Sequence, residues 1–136
     1  MTIELSEKIL EKIKVCKDKK RINLATMQIN DENIKKVMDE IIKVQPKPII
    51  ESIDLDSNAL TDKGAVILAD CLQHFHQLAT LSLQGNKIDR EGAIAIFRLM
   101  REHPDLDILF RGNKISDAGV MADIKAIAIE KSGATP

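Results

Sequence analysis

Between residues 50 and 72 the apolar side chains change spacing partway along. Ile50, Ile53 and Leu55 follow the alternation of a short strand. Beyond Asn58, Leu60 and the pair Gly64-Ala65, residues Leu68 and Leu72 follow helical spacing, with Val66 or Ile67 completing that face. The pattern then recurs. Leu78, Leu81, Leu83, Asn86, Ile88 and Gly92-Ala93 repeat it position by position, and lead into Ile94, Ile96, Phe97 and Met100. A third copy, Ile108, Phe110, Asn113, Ile115 and Gly119, follows with the step between asparagines shortened by one residue. A fainter copy is read upstream as Ile22, Ala25, Met27 and Asn30. Its Asn30 stands as far before Asn58 as Asn86 stands after it, with Glu32 and Lys36 where Leu and Gly stand elsewhere. Self-similarity at a period of about 28 residues is the signature of a solenoid, in which no unit buries its apolar face alone. Each repeat is expected to be a strand, a turn and a helix, so the predicted fold class is α/β, a short repeat solenoid.

A solenoid needs closed ends. Residues 1–21 are assigned to an N-terminal capping helix, with Leu5, Ile9, Leu10, Ile13 and Cys16 on one helical face. Residues 22–131 hold three clear repeats and one degenerate repeat, and residues 132–136 a tail. The last helix, about 117–131, is expected to close the far end with Ile124, Ile127 and Ala128 inward and Ile129 left at the surface. Asn58, Asn86 and Asn113 are expected to form a ladder, because a side-chain amide satisfies both donors and acceptors where strand turns to helix. Gly64, Gly92 and Gly119 are expected to allow close packing where each helix begins.

Charge narrows the range of partners. Twenty Lys and Arg against 21 Asp and Glu leave a net charge of −1, so no global field draws the chain to nucleic acid or an anionic membrane. The one basic run, 14–21, has no interleaved aromatic on which a base could stack. No apolar run approaches the roughly 18 residues of a membrane span, and the N-terminus has no secretory signal pattern. The two cysteines, Cys16 and Cys71, form no CxxC and fit reduced thiols. His74, His76, His103 and Cys71 are the candidates for a metal or acid–base site. The histidines, however, fall at predicted helix C-termini, where the helix dipole favours them, and no metal or other cofactor is expected. No phosphate-loop, zinc-protease, hydrolase or dinucleotide motif is present, and neither an enzymatic activity nor a small-molecule substrate is expected.

The stretch "LATLSLQGNKIDREGAIAI" above all resembles leucine-rich repeats of the ribonuclease-inhibitor type, and the Gly-Ala after the turn resembles the GALA subtype known from bacterial effectors. The resemblance covers residues 22–131, about four fifths of the chain. It implies parallel strands on a concave face, helices on a convex face, and use of the concave face to bind another protein. For a bacterial effector that partner is a host protein or a co-delivered effector, and the location is cytoplasmic, including a host cytosol reached by export.

On such strands the residues between the apolar positions point to the concave face. These are Thr26 and Gln28, then Ser52, Asp54 and Asp56, then Thr80, Ser82 and Gln84, and finally Asp107, Leu109 and Arg111. Leu109 beside Arg111 is the expected anchor, since an apolar side chain on this face has no scaffold duty and Arg is enriched at binding hot spots. The rival reading is a GTPase-activating regulator using the loop arginine Arg90, because an activator of the nuclear-transport GTPase carries repeats of the same type.

Overall fold

The computed structural model describes residues 4–15, 20–44, 49–115 and 117–130. Among them, β1 (Arg21–Asn23), β2 (Ser52–Asp54), β3 (Thr80–Ser82) and β4 (Asp107–Leu109) form one parallel sheet in chain order. Parallel neighbours need a crossover between them. Here it is a helix each time: α2 (Ile34–Ile42), α3 (Asp62–Leu72) and α4 (Arg90–Phe97), the last continued by a 3-10 turn over Arg98–Arg101. α5 (Ala118–Ile129) follows β4, and α1 (Glu7–Val15) packs on β1 and α2 at the other end. The layers are held by the residues that the period picks out. Ile53, Leu55, Leu81 and Leu83 point inward from the strands against Leu60, Leu68, Ile88, Ile96 and Phe97, all buried.

The first repeat has a different register from the one its asparagine suggests. Ile22 pairs with Ile53, not with a residue aligned to Ile50, and the step from Arg21 to Ser52 is three residues longer than the step from Ser52 to Thr80. The excess lies between Asp31 and Ser52, beyond the first turn. The position equivalent to Asn58 is therefore Met27. Asn30 is not a rung of the ladder: its Oδ1 accepts from the backbone N–H of Glu32 and Asn33 in a local turn before α2. The turn itself repeats faithfully. Thr26, Ser57, Gly85 and Gly112 occupy one position in four successive repeats, and all have positive φ, from 55° to 76°.

Two helix faces also differ from expectation. Ile9 and Ile13 are buried in α1, but Leu10 is exposed; Cys16 lies outside the described residues. In α5, Ile124 and Ala128 are buried whereas Ile127 is 41% exposed, on the flank and not beneath the helix. Helical spacing identifies a face to within about one residue, and at the ends of a stack no neighbour covers its margins.

Candidate binding face

The asparagine ladder sets the geometry of the strand face. Asn58 Oδ1 accepts from the N–H of Met27 and Ile29 in the preceding turn, at 3.0 and 2.9 Å, while its Nδ2 donates to the C=O of Leu24 and Leu55. Asn86 does the same one repeat later, accepting from Leu60 N–H and donating to Leu55 and Leu83 C=O. Asn113 accepts from Ile88 N–H and donates to Leu83 and Phe110 C=O. Each amide thus ties its own turn back to the previous one. Met27 holds the equivalent position in the first repeat, where no earlier turn of the stack lies among the described residues.

A second ladder runs forward along the helix starts, and the sequence reading missed it. Asp31 Oδ1 accepts from the N–H of Thr61 and Gly64, both at 2.9 Å, and its Oδ2 takes the Thr61 hydroxyl. Asp62, the equivalent residue, accepts from the N–H of Asp89 and Gly92 at 2.7 and 3.0 Å. These N–H groups belong to first helical turns, which have no partner within their own helix. The close approach requires glycine: a Cβ on Gly64 would collide with Asp31 Oδ1, and one on Gly92 would lie 2.7 Å from Asp62 Oδ1. At the third equivalent position the residue is Arg90, and the ladder stops. A Cβ on Gly119 would meet, among the described residues, only Asp117 Oδ1 of its own helix cap at 3.3 Å, so no described residue of another repeat packs against that glycine as one does at Gly64 and Gly92.

With the scaffold assigned, the candidate face resolves into rows set by the sheet register. Arg21, Ser52, Thr80 and Asp107 form one row, and Asn23, Asp54, Ser82 and Leu109 the next. Asp56, Gln84 and Arg111 continue the same alternation two residues on. Thr26 and Gln28 do not belong to these rows; they sit in the turn with φ of 55° and 57°, and Asn23 and Ala25 take the positions assigned to them, with Arg21 joining the row of Ser52. The missed signal was Ile22-x-Leu24, whose spacing matches Ile53-x-Leu55.

Part of the face is already committed to the fold. Asp56 accepts from Ser82 Oγ at 2.5 Å, Gln84 N–H at 2.8 Å and Gln84 Nε2 at 3.4 Å, and Ser82 is buried. Asp54 Oδ1 accepts from Asp56 N–H at 2.9 Å, as Asn23 Oδ1 does from Ala25 N–H. Asp54 and Asp56 therefore serve as acceptors for neighbouring backbone and side chains. By contrast, Ser52, Thr80, Asp107, Leu109 and Arg111 make no side-chain hydrogen bond or ion pair among the described residues, and Leu109 is 38% exposed.

The histidines do not converge. His76 and His103 line a groove of about 620 Å³ between α3 and α4, together with Asp70, Arg98 and Glu102. His74 faces a smaller cleft of about 330 Å³ beside Ile42, Ile49 and Phe75, whose rim His76 also reaches. Among the described residues no three His, Cys, Asp or Glu side chains are placed to share a metal ion. Cys71 is buried, and its desolvation pushes the thiol pKa up, Lys35 opposing this while Asp39 and Asp70 add to it. A neutral buried thiol is a poor nucleophile. No helix among the described residues is long and apolar enough to cross a membrane.

A family model described as "Leucine Rich repeat" matches residues 48–69 and 77–97. Among curated proteins, NACHT, LRR and PYD domains-containing protein 4E of Mus musculus is 31% identical over 99 residues, which are 70% of this chain and 10% of that protein. The chain thus spans about a tenth of that relative's length. Among solved structures, leiomodin-1 actin-binding site 2 has the same fold, with a TM-score of 0.69 at 19% identity over 93% of this chain and 73% of that one. The parallel sheet, the repeat register and the matched segments give this chain the fold of a leucine-rich-repeat solenoid.

Proposed function

We propose that the chain is a non-catalytic module that binds one protein partner through its strand face and regulates that partner by covering its active or binding surface. One observation carries the reading. Thr80, Asp107, Leu109 and Arg111 form a contiguous exposed or half-exposed patch with no scaffold role, beside Asp56, Ser82 and Gln84, which are committed to the fold. Solvent-facing side chains that stabilise nothing are free to be selected for a partner. Four strands at about 4.8 Å spacing span about 15 Å, and with the adjoining loops supply the roughly 800 Å² per partner of a standard interface. That area suits a plug against one compact target and excludes encirclement. The mixture of Asp107, Arg111 and Arg21 favours a partner surface bearing both signs of charge around an apolar pocket for Leu109. The leiomodin-1 structure, named for an actin-binding site, is one instance of the fold in a protein-binding role.

The Gly-Ala pairs at 64–65 and 92–93 support the finer reading: a ribonuclease-inhibitor-type, GALA-like repeat protein acting as a bacterial effector in a host cytoplasm on a host protein or a co-delivered effector. The rival, GTPase activation, has one observation in its favour. Arg90 is exposed where the ladder would place an aspartate, so its side chain is free. Loss of a GTPase-stimulating activity in Arg90→Ala would select that reading. For the strand face, Ser52→Arg/Thr80→Arg places two bulky charges in its centre, away from the edge strands. Capture of the co-purifying partner should fall at least about tenfold with the fold intact; undiminished capture would refute the face.

A further inference from the structure

The two ends of the sheet are not alike. α1 lies against β1, burying Ile9 and Ile13, whereas β4 ends the strand order with no described element on its outer side. The backbone of β4 divides cleanly. Asp107 N–H donates to Ala79 C=O, and the C=O groups of Leu109 and Arg111 accept from Leu83 and Gly85, so the odd-numbered residues are bonded to β3 and its flanking residues. Ile108 and Phe110 lie between them and turn their N–H and C=O groups outward. Phe110 C=O accepts one bond, from Asn113, where the equivalent Leu83 C=O accepts two, from Asn86 and Asn113. The outer edge is thus a template for one more strand.

We propose that this strand is β4 of a second copy of the chain, paired antiparallel about Leu109. Outward groups must meet outward groups, which leaves three registers: Ile108 on Ile108, Phe110 on Phe110, or Ile108 on Phe110. The first two set a charged residue opposite Leu109. The third sets Asp107 opposite Arg111 of the second copy, twice by symmetry, with Leu109 on Leu109 between them. These are the non-hydrogen-bonded positions, where facing Cα atoms come within about 4.5 Å and side chains interact most closely. The edge is therefore self-complementary in hydrogen bonds, charge and apolar contact, as a two-fold interface requires.

The helix layer supports the same contact. Lys125 Nζ lies over the Phe97 ring at 5.2 Å, which turns that flank of α5 toward α4. Val120 and Ile127, 39% and 41% exposed and two helical turns apart, lie on the opposite flank, where a further helix of the stack would pack. In the dimer this strip meets its own copy behind an eight-stranded sheet. The net charge of −1 opposes association little. The contact goes beyond the partner-binding reading, although the two share Asp107, Leu109 and Arg111.

Sedimentation equilibrium from micromolar to millimolar protein tests it. The wild type should pass from the 15.1 kDa protomer to twice that mass. Asp107→Arg and Arg111→Asp each replace two attractive pairs with two like-charge pairs and should weaken association about tenfold or more. The double variant Asp107→Arg/Arg111→Asp should restore it. A wild type that stays monomeric throughout, or a double variant as weak as the single ones, overturns the proposal.

Discussion

Replacing Gly64 and Gly119 by alanine should change stability in opposite directions, although both stand in the first turn of a helix at equivalent repeat positions. In an open helical site, Gly→Ala stabilises by about 0.5–1 kcal/mol because the unfolded chain loses less entropy on folding. Gly119 comes closer to such a site: its nearest described obstacle, Asp117 Oδ1 at 3.3 Å, is the end of a side chain on an exposed residue and has to give by only a few tenths of an ångström, so a gain of up to about 0.5 kcal/mol is expected there. At Gly64 the new Cβ would collide with Asp31 Oδ1 and lie 2.9 Å from Leu60 Cδ2. The carboxylate must swing away, releasing the N–H groups of Thr61 and Gly64 as well as the Thr61 hydroxyl. Two first-turn donors left without acceptors cost at least about 1 kcal/mol each, so the net loss should be about 2 kcal/mol, or roughly 6 °C in Tm. With no Trp or Tyr in the chain, urea unfolding has to be followed by far-ultraviolet circular dichroism. A double-mutant cycle sharpens the test: in an Asp31→Ala background the carboxylate obstacle is gone and only Leu60 Cδ2 has to yield, so the cost of Gly64→Ala should shrink by about 2 kcal/mol. Equal signs at Gly64 and Gly119, or no coupling to Asp31, would refute the forward ladder.

Two further perturbations probe the interior. Asn86→Ala strands Leu60 N–H and removes a donor shared by Leu55 and Leu83 C=O, all buried; it should cost about 3 kcal/mol in urea unfolding, more than Asn113→Ala at the half-buried end of the ladder. The raised pKa of the Cys71 thiol gives a signed pH effect. The unfolded thiol ionises near its ordinary 9.0 and the folded one later, so the contribution to stability is complete below pH 9 and is lost as pH rises toward the folded value. In a Cys16→Ser background, Cys71→Ala should flatten that alkaline decline, and iodoacetamide should label native Cys71 far more slowly than the urea-unfolded chain. Rapid native labelling would contradict the burial.

What the sequence reveals depends on how local the cause is. The β2 and β3 repeats were legible because alternation, Asn58 and Asn86 follow from the needs of a single turn. The first repeat was misaligned because Asn30 happens to fall one full period before Asn58, while the true rung carries Met27 and the insertion lies beyond the turn. The aspartate ladder was hidden for the same reason: the separation of its two members, Asp31 and Asp62, includes those three extra residues and so departs from the period of the clear repeats. On the face, the alternation identified Asp56 and Ser82 as solvent-side residues, but not that they bond to each other across strands. Such a contact depends on register between repeats, which a period alone does not fix. The exposure of Leu109 and Arg111 was legible since it follows from the alternation within one strand.

The two ladders together predict where the molecule opens first. α3 and α4 each have first-turn donors held by an aspartate of the preceding repeat, and their turns are joined by asparagines on both sides. α5 has neither advantage at its start: Arg90 interrupts the forward ladder, and the helix relies on its own Asp117, whose Oδ1 accepts from Val120 N–H at 3.0 Å. Its far end is tied by Arg101 to the C=O of Glu130. Amides in the first two turns of α5 should therefore exchange with solvent well ahead of those in α3 and α4, as a local opening instead of a global one. Arg90→Asp restores the missing residue one repeat before Gly119, and a recovered first-turn bond of about 1 kcal/mol should slow exchange there about fivefold. Mass-spectrometric hydrogen exchange reads both effects, with α4 as the internal control for any change in overall stability. If α5 exchanges in step with α3 and α4, or if Arg90→Asp protects all three equally, the forward ladder does not control how firmly each helix is held.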